Sequence, residues 1–443
     1  MVSRIIYAFL CSLCIEVCGT VQLLGVHPLP NMQATPGISS RRGLHHDRIT
    51  VLNRRAENRA HGRCVIYWMS AAQRTASNPA LEYAVCKANS HGLPLMVIFC
   101  LTDKYPEAYE RHYAFMLEGL AEVASNLHER GIKFVCVHGA PPHPIMSAAI
   151  HASCIIVDCG YTRVLRLWRK VLAEQAPVAV IEVEGEVVVP AKLLADKHDS
   201  FAATFRPRIS ARINEFLHDV EQQQLQTPSN NLDPFEVISK DTVIYDLLQD
   251  GVEHALASLD INRSVPRVSA GGGGGGEALR GGTSEALRHL DVFFSNCASS
   301  SCCSAATPAA TPTRGGGGWE GETVAGASPR VSAPAASKAC QQLVKHVSSM
   351  GATEKRGGKC EERPIENYAL KRNHPALRKQ SHLSPYLHFG HISVVAVGVA
   401  ARALMTRHAH LSKDLDVFWE ELVVRCLSLP LILLALPLQK YKY

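Results

Sequence analysis

Between residues 61 and 192 the chain alternates short, largely apolar runs with longer stretches of mixed polarity. The runs are Cys64–Trp68, Leu95–Leu101, Lys133–His138, Cys154–Val157 and Val178–Val183. Each is of strand length and lacks the polar-every-second-residue pattern of a half-exposed strand, so each predicts a strand buried on both faces. The stretches between them predict helices over Asn78–His91, His112–Arg130, Pro144–His151 and Leu165–Glu174. Asn78 stands at an N-cap, Pro79 at a first helical position, and Gly92 and Gly131 lie just past two helix ends. Strands alternating with helices define a parallel sheet covered on both sides, a doubly wound, Rossmann-like α/β domain. Ligands of such sheets sit at the carboxyl ends of the strands, which nominates Ser70, Asp158 and their loops. No GxGxxG is present in this stretch, and a sheet that binds nothing there is an equally good reading.

The remaining chain divides by composition. Residues 1–60 open with Arg4 and the apolar run Ile5–Cys14, followed by a polar, Arg-rich stretch. They read as a leader, either a targeting signal or a misassigned start, and the run is too short to span a membrane. Residues 193–260 form a basic-to-polar connector carrying Lys197, Arg206, Arg208 and Arg212. Glu285–Phe294 reads as a helix with Leu287, Leu290, Phe293 and Phe294 on one face. Residues 295–355 are dominated by Ala, Ser, Thr, Pro and Gly and predict a low-complexity insert. Its glycine runs lack the preceding strand and the GK[ST] of a phosphate loop. From residue 356 to 425 the pattern is helical, with Ile392–His408 and Leu415–Cys426 as helices.

Composition adds little to this. The chain has 443 residues, 47% apolar, with a formal charge of +6. That permits a nucleic-acid partner without demanding one. The 15 cysteines are mostly single and sit in apolar runs, so neither a disulfide framework nor a zinc ribbon is expected, and no metal site is predicted.

Candidate chemistry concentrates between Tyr368 and Arg425. Tyr368 and Arg372 are one helical turn apart, which places an aromatic ring and a guanidinium on one face. Gln380-Ser381-His382-Leu383-Ser384 ahead of Pro385 forms a turn able to offer hydroxyls and backbone N–H groups to an anion. Glu420 and Glu421 interrupt the apolar helix that carries Phe418, Leu422 and Arg425. A carboxylate beside such a face is costly unless paired or used, and Glu421–Arg425 has the spacing of an ordinary ion pair.

Here the residues resemble the cryptochrome/photolyase family, and within it the class II cyclobutane pyrimidine dimer DNA photolyases. The likeness runs from Asp47–Asn53 and Val65–Ser70 with Gln73 and Arg74, through Arg111–Tyr113, Asp158, Val188–Pro190 and Arg206. It continues in Asn262–Pro266, Arg372–Pro375, Leu383–Ser393 and Phe418–Arg425. It implies that residues 61–192 are an α/β antenna domain and that a helical flavin domain begins at 261 and resumes over 356–425. It also implies a lyase that uses light and reduced FAD to split pyrimidine dimers flipped out of DNA. A second antenna chromophore of deazaflavin or folate type would accompany the FAD. By the same likeness Tyr368, Gln380, Ser381, His382, Leu383, Ser384, Phe418 and Arg425 bind the flavin. Glu421 is the catalytic acid toward the dimer, and Arg372, Glu421 and Arg425 meet DNA. The implied protein is a monomer of nucleus or organelle, with no membrane partner. A non-catalytic cryptochrome-like photoreceptor is the alternative.

The sequence departs from that pattern. His374 replaces an Asp, and Glu186-Val187 replaces a His-Asn pair. The family's signature helix is expected to continue past Arg425, where this chain reads Cys426 to Tyr443 with Pro430 and Pro437. The expectation from this tail, 426–443, is a truncated flavin domain that holds FAD weakly and is inactive.

Overall fold

The computed structural model describes residues 44–194, 202–265, 267, 279–294, 364–374, 376–377 and 379–425. All lie within one unit, 34–443. The leader before residue 44, the 295–355 insert and the 426–443 tail are expectations that fall outside the described residues.

Seven strands form one sheet: β1 (Ile49–Val51), β2 (Cys64–Met69), β3 (Leu95–Leu101), β4 (Lys133–His138), β5 (Ala152–Asp158), β6 (Val180–Val183) and β7 (Ile244–Tyr245). Their order is β1-β6-β5-β2-β3-β4-β7. The inner five are parallel, and β1 and β7 close the two edges antiparallel. The crossovers are α1 (Pro79–His91), α2 (Glu110–Glu129), α3 (His143–Ala149) and α4 (Arg163–Gln175). The chain winds outward from β2 through β3 to β4, then returns to β5 and β6. The switch point therefore lies between β2 and β5. Every residue of β2, β3 and β5 is buried. Alternate side chains feed two cores. Val65, Tyr67, Val97 and Phe99 pack on one face, and Ile66, Trp68, Met96 and Ile98 on the other. This is why these strands read as unbroken apolar runs.

The predicted caps are formed. Asn78 accepts the Leu81 N–H at 3.0 Å, and Gly92 ends α1 at φ +66. Two boundaries need correction. Residues 44–60 are not leader: β1 pairs with β6 there, and Arg48 is buried. Its guanidinium donates to the carbonyls of Glu184, Val187 and Val188 at 3.0, 3.1 and 2.7 Å. The stretch 193–260 is not a plain connector. It holds α5 (Ala202–Phe216), the edge strand β7 and α6 (Gly251–Ser258). Both edge strands are too short to show a period in the sequence, and pairing with a formed neighbour makes them.

The helical part comprises α5, α7 (Thr283–Phe294), α8 (Tyr368–Lys371), α9 (Ser384–His388), α10 (Val394–Arg407) and α11 (Ser412–Trp419). A π-helical turn, Glu420–Arg425, continues α11. These elements share a core that includes Phe205, Phe216, Leu290, Phe293, Tyr386, Val397, Leu415 and Phe418. No helix among the described residues is long and apolar enough to cross a membrane.

The helical part docks on the sheet through a tight seam. Arg74, 1% exposed, donates to the Gly390 carbonyl at 2.9 Å and pairs with Glu186 at 2.8 Å. Gly390 has φ +68, and a Cβ there would stand 1.9 Å from the Ala71 carbonyl oxygen. Buried His391 packs in a three-ring cluster with Phe115 and Phe389 and accepts the Gly282 N–H at 3.1 Å through Nδ1. Burial, with Arg74 nearby, pushes His391 down to about 3, so it is neutral at physiological pH.

Candidate active site

The carboxyl ends of β2 and β5 flank the switch point, where Ser70 and Asp158 are ligand candidates. Here the protein supplies its own anion. Asp158 accepts the N–H groups of Ser70, Ala71 and Ala72 at 2.8, 2.9 and 3.0 Å, and the Tyr67 hydroxyl at 2.7 Å. Burial, then the Asp158 charge, raises Tyr67 well above the ordinary phenol range, so it stays a donor. Three successive N–H groups converging on one point are an anion nest. With Asp158 inside, the nest orders the β2–α1 loop.

The residues between 368 and 425 form a second centre. α8 is a single turn, too short to persist alone. Asp414 of α11 fixes it by accepting the N–H groups of Asn367 and Ala369 at 3.0 and 2.8 Å. That docking turns Tyr368 and Arg372 toward Phe418 and Glu421. Arg372 and Glu421 form an ion pair, each side chain 21% exposed. The guanidinium also lies 5.8 Å from the centroid of Tyr368. Burial works against the Arg372 charge, but Glu421 outweighs it, and the group titrates above its ordinary range. Glu421 thus takes a partner from another part of the helical wall. The side chain of Arg425 lies outside the described residues.

Widening the helix after Trp419 turns Glu420 and Glu421 away from the register of an α-helix. Glu420 pairs with Arg206 of α5, with Arg206 Nε 3.0 Å from Glu420 Oε2. Two adjacent carboxylates are therefore held by cations from two different helices. Arg206 lies among the basic residues visible in the sequence, but nothing local joins it to Glu420, 214 residues away.

The turn before α9 presents mixed chemistry. Gln380 donates to the Arg372 carbonyl at 3.2 Å, which ties the turn to α8. Ser381 Oγ accepts the Leu383 N–H at 3.4 Å. His382 is exposed with φ +55, Leu383 is buried, and Ser384 is exposed at the start of α9. Phe418 is buried among aromatic rings. Its centroid is 5.1 Å from Phe293, 5.8 Å from Phe294 and 6.1 Å from Tyr368. Phe293 and Phe294 are legible in the sequence as an apolar helix face, but not as the lining of this centre.

Tested against FAD, this wall has suitable donors at Gln380, Ser381 and Ser384. Its aromatic side does not fit. Phe418 is 4% exposed and meets Phe293, Phe294 and Tyr368 where the resemblance places a flavin ring. As arranged, these residues do not hold that ring.

The fold and this centre define an α/β protein whose helical part carries an acid–guanidinium pair on an aromatic wall. Residues 65–229 match the family model for DNA photolyase. A deoxyribodipyrimidine photo-lyase of Methanothermobacter thermautotrophicus is 35% identical over 244 residues, covering 55% of this chain and 49% of the relative. One from Potorous tridactylus is 31% identical over 174 residues, 38% of this chain and 33% of its own length. One from Arabidopsis thaliana is 25% identical over 367 residues, 82% of this chain and 57% of its own length. Within residues 65–229 the chain is thus similar to the DNA photolyases, and its matched parts span between a third and somewhat over half of these relatives.

Proposed function

We propose that the protein is a deoxyribodipyrimidine photolyase, a lyase that splits pyrimidine dimers in DNA under light. The observation that carries this reading is the half-exposed Glu421–Arg372 pair on the Tyr368–Phe418 wall, in a chain similar to this family. Glu421 is the group that accepts the dimer's N–H. Arg372 holds that carboxylate in place until the dimer arrives, then faces the DNA phosphates. A partly exposed pair of this kind is held by about 1 kcal/mol or less, so a ligand can displace it. When bound, FAD would supply the electron. A second, light-harvesting chromophore of deazaflavin or folate type would belong to the α/β part.

The test supplies excess FAD to the purified 443-residue chain and measures bound flavin and repair of a dimer-containing oligonucleotide, in light and in darkness. The chain alone is expected to carry far less than one flavin per molecule. Repair is expected to occur only in light, to follow the flavin taken up, and to fall at least tenfold in Glu421→Ala. A chain that carries flavin yet leaves dimers intact under light overturns the proposal.

A further inference from the structure

At the edge of the α/β part, three consecutive side chains with metal-binding atoms converge. His45 Nδ1 is 3.5 Å from Asp47 Oδ2, and His46 Nε2 is 3.4 Å from Asp47 Oδ1. The two imidazoles stack, with centroids 4.5 Å apart and planes at 25°. One donor atom from each residue lies within 4.8 Å of the other two. Zinc takes imidazole nitrogen and carboxylate oxygen at about 2.0–2.2 Å, so the edges of its tetrahedron are about 3.3–3.6 Å. Each imidazole nitrogen stands at about that distance from a different oxygen of the Asp47 carboxylate, His45 from Oδ2 and His46 from Oδ1. The remaining closure falls to His46, whose side chain is 64% exposed and can turn without disturbing a core.

We propose that His45, His46 and Asp47 bind one divalent transition-metal ion of the zinc class. Two imidazoles and a carboxylate suit zinc, nickel or copper far better than magnesium or calcium. The three groups leave a fourth position to solvent. Binding exchanges two contacts: the Asp47 N–H donated to His45 Nδ1 at 3.2 Å, and Arg212 Nη2 at 3.3 Å from Asp47 Oδ2. Arg212 keeps a partner, because Glu215 already accepts from its Nε and Nη2 at 3.2 and 3.0 Å. The site is braced from α5, where Phe216 packs on His45 with centroids 4.5 Å apart. The same turn, His46–Arg48, aims Arg48 into its cage of carbonyls. A bound ion therefore stiffens the anchor of the outer edge of the sheet. The cysteine spacing that argued against a metal in the sequence has no bearing on this His-His-Asp set.

The test uses the full chain with its accessible thiols alkylated, because 15 cysteines offer competing ligands. Zinc, nickel and magnesium are titrated separately by calorimetry into the wild type, His46→Ala and Asp47→Asn. One zinc or nickel site is expected in the wild type, weakened at least tenfold in each variant, with no magnesium heat. Zinc is also expected to raise the Tm of the wild type by mass action, an effect lost in His46→Ala. Identical isotherms for the wild type and His46→Ala overturn the proposal. So does the absence of binding up to about 1 mM metal.

Discussion

The carboxyl edge of the sheet and the helical wall both present charged groups around a place where a ligand could sit, and they treat those groups in opposite ways. At the sheet edge Asp158 is buried and accepts four hydrogen bonds from its own loop and strand. Removing either side would strand donors in a dry environment. On the wall, Glu420 and Glu421 are partly exposed and paired with Arg206 and Arg372 from other helices. Those pairs can open into water. The same chemistry, carboxylate with donors, is therefore locked where burial makes exchange costly and exchangeable where exposure makes it cheap.

The sharpest way to break this contrast is Asp158→Ala. Four donors lose their acceptor, and the expected loss is about 3–5 kcal/mol of unfolding free energy, read from urea denaturation. A loss under about 1 kcal/mol would mean that water replaces the carboxylate and the edge is not locked. Gly390→Ala comes next. It forces a left-handed residue and a collision with the Ala71 carbonyl, with an expected cost of about 3 kcal/mol. The seam is expected to fail first, giving a separate early transition in thermal unfolding.

Glu186 sharpens the picture by pH. Burial raises it to about 7 from 4.5, against the pull of Arg74. The folded chain thus keeps a proton that the unfolded chain releases between those values. Its contribution to stability is full below pH 4.5 and is lost as the pH rises through 7. Glu186→Gln is expected to remove roughly 1–3 kcal/mol of the difference between pH 5 and pH 8, measured by denaturation at both. An unchanged pH profile would place the charge elsewhere. Arg372→Ala has the smallest effect on stability, below about 1 kcal/mol, yet it should weaken binding of dimer-containing DNA measurably. A large stability loss would show the wall to be as locked as the sheet edge.

The parts of the fold legible in the sequence are those set by local composition. β2, β3 and β5 are apolar because both faces are covered, and Asn78, Pro79 and Gly92 mark α1 because the backbone at helix ends needs them. β1 and β7 escaped notice because three and two residues carry no period. Arg48 reads as a surface arginine until carbonyls more than a hundred residues away enclose it. In the candidate site, Tyr368 and Arg372 share a face as their spacing predicts. The partners of Glu420 and Glu421 were not legible, because the cations come from α5 and α8. Resemblance named Phe418 and Glu421, and only the packing of α8 on α11 brings them beside Tyr368 and Arg372.

The seam at Gly390 also orders events in time. Arg74 and the carbonyl it grips are 316 residues apart in the chain. On a ribosome adding about 5–20 residues per second, the sheet can close well before Gly390 emerges. During that interval Arg74 has only the Ser77 carbonyl and Glu186 to hold it, and the face that later receives the helices is open. Docking of the wall is thus expected to follow closure of this 316-residue separation. A chaperone that shields this face would act on the nascent chain, between completion of β6 and arrival of α10.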